Sequence, residues 1–134
     1  GRAGEAERVR GRSVLRVVAS AHRQAWDAPG MKPLVRRAGA DQDVDTAIDY
    51  YLAEAPAAAR SFVDELERAY RHIQRHPGAG SPRYAHALGL PGLRSWPLKR
   101  FPYLVFYFES PEVVEVWRVL HGSRDVPAWL DEEP

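Results

Sequence analysis

Residues 92–125 constrain this chain most. They hold three apolar runs rich in β-branched and aromatic residues, around Ser95-Trp96, Tyr103-Leu104-Val105-Phe106-Tyr107 and Val113-Val114-Glu115-Val116-Trp117. Pro, Gly and Ser stand between the runs, and cations stand at their ends. Apolar runs bounded by turn residues at this spacing predict a small antiparallel meander with a basic rim. Strands are expected over residues 93–98, 103–109 and 113–120. Pro102 and Pro111 fall in the connections, where a missing N–H does little harm. In the middle strand Leu104, Phe106 and Phe108 alternate with Tyr103, Val105 and Tyr107, so both faces are apolar. In the last strand, strict alternation puts Val114, Val116, Arg118 and Leu120 on one face. It puts Val113, Glu115, Trp117, Val119 and His121 on the other. A sheet apolar on both faces needs cover on both.

The preceding segment supplies cover for one face. Residues 33–37 read as a short strand. Asp41, Asp43 and Asp45 then suit the positive end of a helix, with Asp41 a candidate cap and the set a solvated helix start. Val44, Ile48, Tyr51 and Leu52 form one apolar stripe, so a helix is expected over about residues 42–52. Pro56 suits the first turn of a second helix. Ala58, Phe62, Leu66, Ala69 and Ile73 carry that helix to about residue 75, where His76-Pro77-Gly78 stops it. The short break between them predicts an antiparallel helical hairpin. Residues 78–91 read as an ordered loop without a strong pattern. A short helical turn is expected over 126–130. The second sheet face is expected to be covered in part by a partner.

The full chain of 134 residues is enough for one domain. It has no cysteine, which excludes disulfides and thiolate chemistry and fits a reducing cytoplasm. No apolar run approaches the roughly 20 residues of a membrane span. Charge is uneven: residues 31–70 carry five Lys/Arg against eight acids, and residues 71–125 carry eight against four. A basic sheet region suggests an anionic partner. Residues 1–30 differ from the rest, being rich in Arg, Ala and Gly, and the only methionine follows at Met31. They are expected to be a leader or upstream extension, poorly ordered, with the domain at 31–134. Two other readings stay open: a helix over about 13–26, and an Arg-rich presequence.

The order of one strand, two helices and three strands resembles the RelE/ParE superfamily of bacterial toxins, over about residues 34–130. The landmarks are Ile48, Tyr50 and Tyr51; Ala59-x-x-Phe62-x-x-x-Leu66; His76-Pro77-Gly78-x-Gly80; Gly92-Leu93-Arg94; Phe101-Pro102-Tyr103; and His121-Gly122-Ser123-Arg124-Asp125. The last two look more like the ParE side than the ribosome-dependent RelE side. The resemblance implies an α+β fold, an N-terminal strand and a helical hairpin packed on a small antiparallel sheet. It implies the toxin of a type II toxin–antitoxin, or plasmid stabilisation, system, bound by a cognate antitoxin in a hetero-oligomer. ParE-like members inhibit DNA gyrase; RelE-like members cut mRNA on the ribosome. A non-toxic, antitoxin-binding relative is the third possibility. No cofactor is implied.

The rim residues Arg94, Lys99, Arg100, Arg118, His121 and Arg124 are the candidate partner-binding set. Metal-free RNA cleavage needs a base, an acid and cations at the phosphorane. Among these residues His121 titrates near neutrality, and Arg94 and Arg124 suit a phosphate clamp. Those three are the catalytic candidates for an RNase. Many ribosome-dependent relatives place a Tyr near the C-terminus, and none follows Arg124 here. Each cation also has a structural reading: Arg94 bridging to the Asp-rich helix, Arg124-Asp125 closing the last strand, His121 buried and hydrogen-bonded. Arg118, mid-strand, needs an acid partner or an open groove. Trp96, Trp117, Tyr103 and Tyr107 could stack bases but suit a core better. His72 and His76 have metal-ligand spacing but no third ligand, so no metal site is expected.

Overall fold

The computed structural model describes residues 31–126. The leader over 1–30, and the expected turn beyond Val126, lie outside them. The elements run β1 (Leu34–Arg36), α1 (Ala38–Glu54), α2 (Pro56–Arg75), a 3-10 turn (Pro77–Ala79), α3 (Arg83–Ala87), β2 (Arg94–Pro97), β3 (Tyr103–Glu109) and β4 (Val114–His121). The strands form one sheet in the order β1-β4-β3-β2. The meander β2-β3-β4 is antiparallel, and β1 adds to it parallel to β4. The sheet is therefore mixed. The strand-to-strand crossover through the helical hairpin is what makes a parallel pair possible.

Both helices have the expected apolar stripes. Phe62, Leu66, Ala69, Tyr70 and Ile73 of α2 and Ala47 and Ile48 of α1 are buried against Tyr103, Val105, Tyr107, Val114, Val116 and Val119. Helix α1 starts earlier than its stripe suggests. Arg37 stands at the cap without a capping side-chain hydrogen bond; its guanidinium pairs with Glu115 instead. Asp41 does not cap; it lies in the first turn and pairs with Arg36 at 3.2 Å. There it still complements the dipole.

Two findings depart from strict sequence patterns. The β3–β4 register shifts between Phe106 and Tyr107: Phe106 faces Arg118, and Tyr107 faces Val116. Trp117 is the extra residue of a bulge. Past it the alternation flips, so Val119 and His121 join Val114 and Val116 on the hairpin side. The second sheet face is covered in part by the chain itself. Helix α3 and the following loop bring Tyr84, Leu88, Leu90 and Leu93 over Phe106 and Leu120, with Val126 closing the cluster. A five-residue helix is too short to show a period, so the sequence reads there as loop.

Candidate functional site

The loop after α2 is held by two side chains from the sheet. The Tyr107 hydroxyl donates to Pro77 O at 2.6 Å and accepts from Gly80 N at 2.9 Å. A Cβ on Gly80 would fall onto that hydroxyl and 2.8 Å from Cζ, so the position admits glycine alone without rearrangement. Arg94 donates from Nη1 to Gly80 O at 2.7 Å and to Gly78 O at 3.2 Å. The expected bridge from Arg94 to the Asp-rich helix is thus replaced by a clamp on glycine carbonyls.

Arg118 has its partner inside the chain. Its guanidinium grips Asp43 through both carboxylate oxygens, at 2.7 and 2.9 Å. The Asp43 hydrogen bond raises the Arg118 pKa further above its ordinary value. Asp43 also accepts the Val119 backbone N–H at 3.0 Å. Strand β1 ends at Arg36, so β4 is unpaired on that side beyond Val116. Asp43 fills the place of the missing strand partner. This corrects the reading of Asp43 as part of a solvated helix start.

Arg100 sits in the β2–β3 turn at φ 66, a left-handed conformation uncommon for a non-glycine residue. It pairs with the buried carboxylate of Glu65 at 2.9 Å, which Arg68 also contacts at 2.7 Å. The Arg100 hydrogen bond outweighs burial and lowers the Glu65 pKa. Lys99 beside it is exposed and lines a groove of about 310 Å³ between α2 and β2, with His72 and Trp96.

His121 and Arg124 begin a different arrangement. The Asp125 carboxylate accepts His121 N–H at 2.8 Å. His121 Nδ1 accepts the backbone N–H groups of Ser123 (3.2 Å) and Arg124 (3.1 Å). His-Gly-Ser-Arg-Asp is thus a self-closing turn, with the histidine ring as its hub. Burial, then the nearby Arg124 charge, lowers the His121 pKa. Arg124 projects from the turn, donates to the Tyr103 hydroxyl at 3.2 Å and lies over the exposed Tyr50 ring. Burial raises the Tyr103 pKa, so its phenol stays protonated near neutral pH. A cleft of about 650 Å³ opens here between α1 and the end of β4, lined by Asp43, Thr46, Tyr103, Arg118, Arg124 and Asp125. The His121 ring packs edge-on against Tyr103, with centroids 5.3 Å apart.

The structure thus sets Arg118 and Arg124 on one cleft, with His121 behind it against Tyr103, and leaves Arg94, Lys99 and Arg100 elsewhere. Asp43 is the site residue that sequence reading missed, and Tyr103, read there as better suited to a core, also lines the cleft and accepts from Arg124. The signal for Asp43 was indirect: a mid-strand arginine needs an acid, and α1 begins with several. Among the described residues no group of acids and histidines could hold a metal ion.

An α+β domain with a helical hairpin on one sheet face and a cationic turn after the last strand is the architecture of a toxin-like fold. Residues 34–126 match the family model for the ParE toxin of the type II toxin–antitoxin system parDE, and the chain belongs to that family. A solved chain from the chromosomal ParDE toxin–antitoxin system of P. aeruginosa has the same fold, with a TM-score of 0.56 and 23% identity. The match covers 66% of this chain and 92% of that one. None of the curated proteins compared with the chain matches it. Within the described residues, no helix is long and apolar enough to cross a membrane.

Proposed function

We propose that this ParE-family toxin acts in the cytoplasm by protein–protein contact with DNA gyrase. A cognate antitoxin neutralises it in a hetero-oligomer, the arrangement of a plasmid-stabilisation pair. One observation supports contact over catalysis: the groups at the end of β4 are committed to one another. His121 Nδ1 already accepts two backbone N–H groups, so in the neutral ring Nε2 carries the hydrogen and no lone pair is left for a base. Arg118 is held by Asp43. Arg124 remains as an exposed cation over the open cleft and is the first residue we assign to partner contact.

The second reading is a ribosome-dependent endoribonuclease. What favours it is that Arg124 and His121 both contact Tyr103, which lines the cleft with Arg124. Induction in a bacterial host, with separate readouts of replication and translation, tests both. Filamentation with an SOS response and intact mRNA is the expected outcome. Rapid translation arrest with cut mRNA, abolished by His121→Ala with Arg124→Ala, overturns it in favour of the nuclease. A folded protein without any growth defect overturns both in favour of a non-toxic antitoxin-binding relative.

A further inference from the structure

Helix α2 carries a second cationic feature, separate from the cleft. Arg60, Arg68, Arg71 and Arg75 are spaced eight, three and four residues apart, which keeps them on one stripe of the helix. That stripe is opposite the buried Phe62, Leu66 and Ile73. It spans ~22 Å of helix rise. Arg60, Arg68 and Arg75 are exposed and Arg71 is half-buried. Among the described residues, Arg60, Arg71 and Arg75 have no ion-pair partner. Asp64 lies within the stripe, and the buried Glu67 lies at its edge. On its flank the β2–β3 turn adds exposed Lys99 and Arg100. The neighbouring Glu65 is buried and shared by Arg68 and Arg100, so its charge is answered within the fold.

The face offers no apolar anchor. Val35 and Tyr50 are the exposed large hydrophobics among the described residues, and neither lies on it. Trp96 is next to it, but His72 already stacks on that ring at 4.2 Å. A protein partner docks mainly through buried aromatic or apolar anchors. A single-stranded nucleic acid needs free aromatic platforms for its bases. A straight row of guanidinium groups without either suits a regular line of phosphates, which a duplex presents about every 3.4 Å on each strand.

We propose that this face of α2, with the β2–β3 turn, binds the sugar–phosphate backbone of duplex DNA without reading its sequence. The inference goes beyond the gyrase reading and does not depend on it. The probe is a fluorescein-labelled 30-base-pair DNA of arbitrary sequence, titrated with the full chain between 50 and 200 mM salt. Each phosphate contact contributes a slope of about −0.9 in log K against log salt, so the wild type is expected near −4. Arg60→Gln with Arg71→Gln and Arg75→Gln should flatten the slope by about 3 and weaken binding at 50 mM salt by at least ~10-fold. These residues make no described hydrogen bond or ion pair, so melting temperature should hold. Arg83→Gln, a cation outside the face, should bind as wild type. Absence of binding at 50 mM salt overturns the proposal, as does equal loss in Arg83→Gln. Labelled poly-glutamate binding more tightly than DNA through the same three arginines overturns it in favour of an acidic protein, and the same preference for duplex RNA overturns the assignment to DNA.

Discussion

The loop after α2 and the turn after β4 both follow a histidine, both contain glycine and both involve an arginine, yet they do opposite things. In the loop two side chains from the sheet hold the backbone. Tyr107 bonds Pro77 and Gly80, and Arg94 clamps the carbonyls of Gly78 and Gly80. In the turn the bonds among His121, Ser123, Arg124 and Asp125 use backbone groups and the side chains of His121, Ser123 and Asp125, leaving the Arg124 guanidinium over an open cleft. An arginine whose donors meet main-chain carbonyls holds the fold together. One whose backbone is fixed while its head stays accessible is available to a partner. The same test separates Arg118, gripped by Asp43, from Arg124 a few residues on.

The contrast breaks most directly at Gly80. Gly80→Ala puts a methyl group against the Tyr107 ring, which sits in a filled core and cannot move away. The expected cost is about 3 kcal/mol, with overpacking and the lost hydrogen bond acting together, read by chemical denaturation. A cost below about 1 kcal/mol means the loop is softer than the geometry implies. The next effect belongs to Asp43→Ala. It strands the Arg118 guanidinium and the Val119 N–H at once, for about 2 kcal/mol. A double-mutant cycle with Arg118→Ala should give a coupling of about 1 kcal/mol; additive costs would mean the pair contributes no mutual energy. Tyr107→Phe keeps the packing and removes only the hydroxyl, so about 1 kcal/mol is expected. Its loss should leave the cleft intact, with any Arg124-dependent activity retained.

Local pattern made the helices and β3 legible. The α2 stripe placed its buried face correctly, and the bounds of β3 follow directly from the run between Pro102 and Ser110. What local pattern could not carry was pairing. The bulge at Trp117 is a property of two strands together, so alternation along β4 alone assigned Val119 to the wrong face. The parallel partner of β1 likewise depends on where the hairpin delivers the chain. The Asp43–Arg118 pair joins positions 75 residues apart, with only the need of a mid-strand arginine to hint at it. His76-Pro77-Gly78-x-Gly80 was visible as a landmark, but its reason was not. Only the approach of Tyr107 explains why the second glycine has no alternative.

The turn after β4 predicts a pH dependence on the acid side. His121 is held below its ordinary pKa of 6.5 by burial and by Arg124. Protonation also removes the Nδ1 lone pair that accepts Ser123 and Arg124. The unfolded chain then binds more protons than the folded one below about pH 6.5, so stability falls as pH drops from there to the folded-state value. Above that window His121 contributes no slope. His121→Ala should remove this part of the profile, and an unchanged acid slope in the variant would assign the titration to another group.

Arg124→Ala is the smallest expected change in stability and the one that sharpens the comparison most. The side chain is exposed, and its one described hydrogen bond, to Tyr103, is long at 3.2 Å. Thermal stability should therefore stay within about 0.5 kcal/mol of the parent. Growth inhibition on induction should nevertheless be lost or strongly reduced, because the cleft loses its accessible cation. Arg124→Lys separates charge from shape: a lysine keeps the charge but not the planar fork that bridges Tyr103 and the Tyr50 ring. Partial rescue by lysine would mean that the partner reads charge at this position, and no rescue that it reads the fork. An Arg124→Ala protein that unfolds instead would place this arginine with Arg94, among the residues that hold the fold.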